Sequence, residues 1–330
     1  MKPQAPFSEP LDSQVDLQRP IFVVGVGRSG TSLLQSMLAS HPSVVFPPET
    51  GMMRHFVRGR VFEHLFRQAG LDAVVERLEQ DERIGNMEPD HARLVVPFRD
   101  EGRPFSDIGL YRELLRQSAL LAGKPRVGDK DPRLIEYLPL VKRHFPDAMI
   151  IHVVRDPRDV LASKKKAAWS KNRNPLLHIF ANRVQWKMGR KVGRKLFGKN
   201  YTEVVYESLI HSPQDELGRL CQWLGVPYEA SMLEFASTAK KLVRPEELSW
   251  KKETLGPILK DNTEKWRSEL SDWEIALSES LSTDLLAEQG YPRSDRAGQL
   301  PLFRRVLLPC VSTCLSGMVL LYSIYRRWMK

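Results

Sequence analysis

Residues Ile21–Ser32 read IFVVGVGRSGTS, and this stretch decides the fold. Ile21–Gly25 is a short apolar run of the kind buried on both faces of a parallel sheet. Leu33, Leu34, Met37 and Leu38 then recur at helical spacing. Between strand and helix lie Gly25, Gly27 and Gly30, interleaved with Arg28, Ser29, Thr31 and Ser32. Glycines let a backbone turn tightly and approach an anion. The free N–H groups and positive dipole end of the following helix then hold it.

The chain repeats this alternation. Val44–Phe46, Pro125–Gly128, Met149–Val154 and Glu203–Tyr206 are further short apolar runs separated by helical stretches. The pattern predicts an α/β fold, a three-layer α/β/α sandwich around a central parallel sheet. Residues 51–122 read as a long, mainly helical insertion with charged faces. At roughly 150 residues per domain, 330 residues make one large domain or two small ones. Residues 1–19 are polar and carry Pro3, Pro6 and Pro10; they read as a flexible arm, with no apolar stretch of signal-peptide type.

Charge narrows the partners. Lys and Arg number 50 against 40 Asp and Glu, a net of +10. The excess is local: Val160–Thr202 holds twelve basic residues and no acid, and Arg296–Lys330 holds six and no acid. Such basicity suits an anionic small molecule, a membrane surface or nucleic acid. Cys221, Cys310 and Cys314 form no CxxC pair, which excludes a disulfide scaffold and fits a reducing compartment. Val306–Tyr325 runs for 20 residues without a formal charge between Arg304-Arg305 and Arg326-Arg327. That length can span a bilayer, against which stand Pro309, Gly317 and the serines; a helix packed on the domain or lying in the interface is the alternative.

Three chemistries compete for the first loop. A Walker A loop needs Lys after its last glycine, where Thr31 stands. Gly25, Gly27 and Gly30 also spell the dinucleotide fingerprint GxGxxG, and Glu49 imitates its ribose-binding acid. That oxidoreductase reading leaves Arg28 and three hydroxyls unexplained. The string GxxRSGTS, continuing through LLQSMLASHP to PPET, instead resembles the 5′-phosphosulfate loop of sulfotransferases. The likeness is to the branch containing tyrosylprotein and many bacterial sulfotransferases, whose donor is 3′-phosphoadenosine 5′-phosphosulfate (PAPS). The resemblance implies a P-loop-like sulfotransferase fold, a catalytic domain over 20–295, and a phosphosulfate held by Gly27, Arg28, Ser29, Gly30, Thr31 and Ser32. It implies Glu49 as the base that accepts the acceptor's proton; pairing with Arg54 is its simpler reading.

A separate 3′-phosphate calls for a second site. The run Met149–Val154 ends in Arg155-Asp156-Pro157, where Asp156 is a natural N-cap and Pro157 a natural first helical residue. Arg155 can fork onto a phosphate, and Ser163 tilts back towards it from the second helical turn. Arg155 and Ser163 resemble the family's 3′-phosphate motif. Gly128-Asp-Lys130-Asp-Pro132 resembles the Lys-Asp-Pro whose lysine supports the sulfuryl group, with Asp129 and Asp131 as a rival metal-binding DxD. Tyr206 matches a tyrosine facing the nucleotide, and Lys265 lies in a late Lys-Trp segment resembling the one that closes over the cofactor. His41 and His152 read as structural.

The expected function is therefore in-line sulfuryl transfer from PAPS, without a metal, to a hydroxyl acceptor: a glycolipid, lipid alcohol, sugar or protein tyrosine. Family members of the Golgi carry an N-terminal anchor and lumenal disulfides, and this chain shows neither. The expected location is cytoplasmic or the cytoplasmic face of a membrane, touched through 306–325. A basic module binding membrane or RNA would explain the charge but not the two loops, so no nucleic acid is expected.

Overall fold

The computed structural model describes residues 13–170 and 172–328. A parallel sheet of five strands runs in the order β2-β3-β1-β4-β5. The strands are β1 (Asp16–Gly25), β2 (Val44–Val45), β3 (Arg126–Lys130), β4 (Met149–Val154) and β5 (Tyr201–Val205).

Alternation along the strands divides the core. Phe22, Val24, Val127 and Ile150 face one way, into a cluster with Phe62, Leu94, Leu110 and Leu114. These last four come from helices of the 51–122 region, α2 (Val61–Glu79), α3 (His91–Arg99) and α4 (Asp107–Ala122). Ile21, Val23, Ile151 and Val153 face the other way, onto Leu34 and Met37 of α1 (Thr31–Ala39) and Leu217 and Leu220 of α7 (Pro213–Leu224). Helices on both faces of a parallel sheet make the expected three layers. Two more helices follow β4 before β5, α5 (Pro157–Lys166) and α6 (Pro175–Phe197).

Several boundaries move. β1 begins at Asp16, inside the stretch read as an arm; Asp16 pairs with Arg126 before a register irregularity leads into the Ile21 pairings. Its polar Gln18 and Arg19 hid that half from a hydrophobicity reading. β3 runs on to Lys130, because its charged end is buried beneath the next segment. β5 begins at Tyr201 and stops at Val205, so Tyr206 opens a helix instead of closing a strand. β2 is only two residues long and ends before Phe46. The arm's first twelve residues lie outside the described part.

After α7 the chain forms short helical turns up to α8 (Asp272–Leu281), and α9 (Leu302–Trp328) ends the described chain. α9 starts four residues before the uncharged run, so Arg304 and Arg305 belong to its first turn.

Gly30 is fixed by its place: φ is 94°, and a Cβ there would lie 2.2 Å from the Tyr206 ring. A left-handed angle favours glycine, and the contact leaves no room for a side chain. Gly30→Ala is expected to lower unfolding free energy by roughly 1–3 kcal/mol. Urea unfolding with an unchanged midpoint would show instead that the loop yields freely.

Candidate active site

Parallel strands put the loops after β1, β3, β4 and β5 at one sheet edge, where open α/β sheets take ligands. Two cavities meet there. One of about 360 Å3 is lined by Gly27, Arg28, Thr31, Ser32, Glu49 and Lys130, among others. The second, about 300 Å3, is lined by Ser163, Lys166, Lys252 and Lys265. Arg28 and Arg155 border both. The residues singled out in the two distant motifs thus share one continuous depression.

The two helix starts differ. No side chain caps α1, which begins after left-handed Gly30, so its N–H groups face the first cavity uncapped. α5 is closed by its own chain: Asp156 accepts from the Arg158 N–H at 2.9 Å, with Pro157 at the first position. Asp156 also grips the Arg158 guanidinium, which reaches Glu279 at 2.6 Å and the Pro292 carbonyl at 2.8 Å. The second cavity therefore depends on side chains for its positive charge.

Arg155 is central among them. Its Nη2 donates to the Asn262 carbonyl at 2.7 Å and its Nη1 to the Arg28 carbonyl at 3.3 Å. The guanidinium lies 4.2 Å from the centroid of the Tyr206 ring, while its buried Nε has no partner. The Tyr206 hydroxyl accepts from Asn262 Nδ2 at 2.8 Å. Arg28, held at a left-handed φ of 78°, donates from Nε to Ser163 Oγ at 2.9 Å. Ser29 is buried and, unlike its loop neighbours, lines neither cavity. Lys265 stands at the rim, 3.4 Å from Glu253.

At the far wall, Lys130 is 1% exposed and donates to Glu49. Lys251 lies 3.8 Å from the same carboxylate and 2.6 Å from Glu247. Burial pushes the Glu49 carboxyl up, but Lys130, then Lys251, outweigh it and hold it at about 2. Burial, then Lys130, depresses the Lys251 ammonium to about 8. Arg54 pairs with Asp131 and not with Glu49. Asp129 accepts from the Tyr111 hydroxyl at 2.6 Å, and burial raises its carboxyl to about 6. Each acid of the DxD thus has a side-chain donor, Tyr111 for Asp129 and Arg54 for Asp131, while Asp129 Oδ1 stays buried with no partner among the described residues.

The histidines lie where expected. His152 is fully buried against the Tyr201 hydroxyl at 2.7 Å, and burial depresses its imidazole to about 3. His41 braces a turn through the Pro227 carbonyl at 2.9 Å.

Lys251, Asn262 and Asp159 escaped the sequence reading. Asp159 looks like an ordinary first-turn acid, yet its carboxylate accepts the N–H groups of Glu264 at 2.8 Å and Trp266 at 3.0 Å. That pins the 264–266 segment above the second cavity and buries Trp266 beneath the Arg158 guanidinium, 3.9 Å from its ring centroid. Lys251 closes a four-residue helix, Leu248–Lys251, and Asn262 stands in an irregular turn, both too short to show any periodicity.

A parallel α/β sheet with an uncapped glycine loop and a second cationic cradle presents two anion-type sites side by side at one sheet edge. The chain belongs to the sulfotransferase family, whose sequence model matches residues 20–230. It is 26% identical over 296 residues to nodulation protein NoeE of Sinorhizobium fredii, covering 83% of this chain and 66% of NoeE. A putative protein-tyrosine sulfotransferase of Caenorhabditis briggsae is 28% identical over 226 residues, 66% of this chain and 69% of that protein. An uncharacterized Aquifex aeolicus protein, 27% identical over 259 residues and 76% of this chain, is far longer; the chain spans 30% of it. The sulfotransferase domain of the Synechococcus olefin synthase superposes with a TM-score of 0.57 at 23% identity, over 77% of this chain and 90% of that one. The fold is thus that of the sulfotransferases, and family membership sets aside the dinucleotide and basic-module readings.

Proposed function

We propose that the chain transfers a sulfuryl group from PAPS to a hydroxyl acceptor. The observation that carries the reading is the orphaned Arg155 Nε, a buried donor beside a cavity with Ser163, Lys166 and Lys265 on its walls. A 3′-phosphate supplies the acceptor that this nitrogen lacks. In the first cavity, Arg28 and the N–H groups at the start of α1 suit the 5′-phosphosulfate. Tyr206 and Lys265 would flank the nucleoside between the two anionic ends. When bound, PAPS supplies a sulfuryl group on a phosphate leaving group, and no metal is required.

Catalysis would rest on charge placement. Arg28 and Lys130 meet the charge that builds on the transferred oxygens and the leaving phosphate. Glu49 accepts the acceptor's proton. At about 2 its carboxyl is a weak base in the resting site. Lys130 is the lever: shared with an anion in the cavity, its ammonium holds Glu49 less tightly and the carboxylate gains basicity. The acceptor is read as a glycolipid, lipid alcohol, sugar or protein tyrosine. The catalytic domain spans 20–295, with the protein in the cytoplasm or on the cytoplasmic face of a membrane.

Thermal shift tests the reading. The desulfated product of PAPS at about 100 times its Kd is expected to stabilise the fold by roughly 2.7 kcal/mol. NAD at equal concentration is expected to leave the midpoint unchanged. Stabilisation by NAD alone would overturn the proposal, as would absence of sulfate transfer to every class of hydroxyl offered.

A further inference from the structure

We infer that α9 is an in-plane anchor, its outer face lying in the interface of an anionic membrane without crossing it. The inference rests on the membrane contact named above and is independent of the transfer reaction. By length and composition Leu302–Tyr322 suffices to cross a bilayer, with a mean hydropathy of 1.6. Its packing says otherwise. Leu308, Val311 and Leu315 join Ile275, Leu277 and Ile179 in one cluster, and Val319 is buried one turn on. Ser312 shares a 2.8 Å hydrogen bond with Ser280, and Tyr322 meets the Phe180 ring edge-on at 6.2 Å.

The inward stripe therefore runs from Leu308 to Tyr322, roughly 21 Å of helix at about 1.5 Å per residue. It is seated on α8 and α6, whose own residues are ion-paired: Glu274 with Lys165 at 2.8 Å and Arg183 with Asp284 at 2.6 Å. A bilayer core about 30 Å thick around α9 would either strip it from these helices or drag their charges into hydrocarbon. Lying flat avoids both.

The outward face is apolar and unpaired with protein. Leu302, Phe303, Val306, Leu307, Leu320 and Leu321 are all exposed. Exposed Arg304 and Arg305 flank it, and the chain has no acid from Arg296 onward, which selects an anionic surface over a neutral one. α6, which carries Phe180 against Tyr322, also leads towards the first cavity. One turn before Phe180 on α6, Leu177 is 61% exposed; His178 Nε2 lies 3.3 Å from the Ser170 carbonyl; and Trp169, 44% exposed, sits on the cavity rim. An acceptor lying in the same interface meets this rim without leaving the lipid.

Co-sedimentation of the full chain with vesicles tests this without donor or acceptor. Binding is expected to phosphatidylcholine vesicles in which roughly three lipids in ten are phosphatidylglycerol, and to weaken with salt. Arg304→Ala with Arg305→Ala is expected to lower partitioning roughly ten-fold, and Leu307→Glu with Leu321→Glu at least as much. Both pairs should keep the wild-type circular dichroism and any activity on a soluble acceptor. Alkaline carbonate should release the protein from membranes of expressing cells. Retention in the membrane pellet would show a spanning helix and overturn the inference. So would equal affinity for neutral vesicles, no vesicle binding, or a solution dimer that covers Leu307 and Leu321.

Discussion

Glu49→Gln is expected to lower turnover by roughly 10² or more while leaving donor affinity intact or slightly improved. Gln keeps an oxygen within reach of Lys130 but cannot take a proton at neutral pH. Removing the negative charge leaves Lys130 and Lys251 freer for an anionic donor. Steady-state kinetics beside calorimetric titration with the desulfated product separate the two effects. Turnover within a few-fold of wild type would remove Glu49 as the base. The same variant reads out the site's electrostatics. A carboxyl at about 2 in the folded chain, against 4.5 ordinarily, contributes stability that is fully present above 4.5. The contribution is lost as pH falls through about 2. Wild type should therefore lose on the order of 3 kcal/mol more than Glu49→Gln between pH 5 and pH 2.

Arg155→Ala is expected to weaken donor binding roughly hundred-fold, with a much smaller effect on turnover at saturation. The guanidinium touches the Arg28 carbonyl, the Asn262 carbonyl and the Tyr206 ring at once. Its loss removes a phosphate partner at the border of the two cavities. Arg155→Lys, which keeps charge but not the fork, should fall between. A nucleotide without a 3′-phosphate should bind wild type and Arg155→Ala alike. Equal loss for both nucleotides would mean that Arg155 holds the wall and not the phosphate.

The parallel sheet was legible because the second half of β1 and most of β4 bury both faces and read as apolar runs. The glycine loop was legible because its residues follow one another. What lay hidden was assembled across long separations. The first half of β1 is polar and gains its place only by pairing with Arg126. Glu49 and Lys130 stand 81 residues apart, and no local pattern announces that they meet. Both were named through family likeness; the sequence offered Arg54 as Glu49's partner, whereas Lys130 holds it. Asn262 is placed by its carbonyl's bond to Arg155 and Lys251 by Glu247 and Glu49, so their role appears only after the chain has closed over the sheet.

The Arg158 hub bears on how the protein is made. This side chain joins the start of α5 to Glu279 and to the carbonyl of Pro292, 134 residues downstream. Contacts of that span form late, since a long loop must close before they stabilise anything. On a ribosome, the first cavity's glycine loop can fold while the far wall is still unmade. The donor cleft becomes complete only when the chain beyond residue 290 has emerged. A fragment cut at residue 230, where the match to the family's sequence model ends, would keep the loop but lack Lys251, Asn262, Glu279 and Pro292. Both cavities are therefore complete only once the last helices have docked against the start of α5.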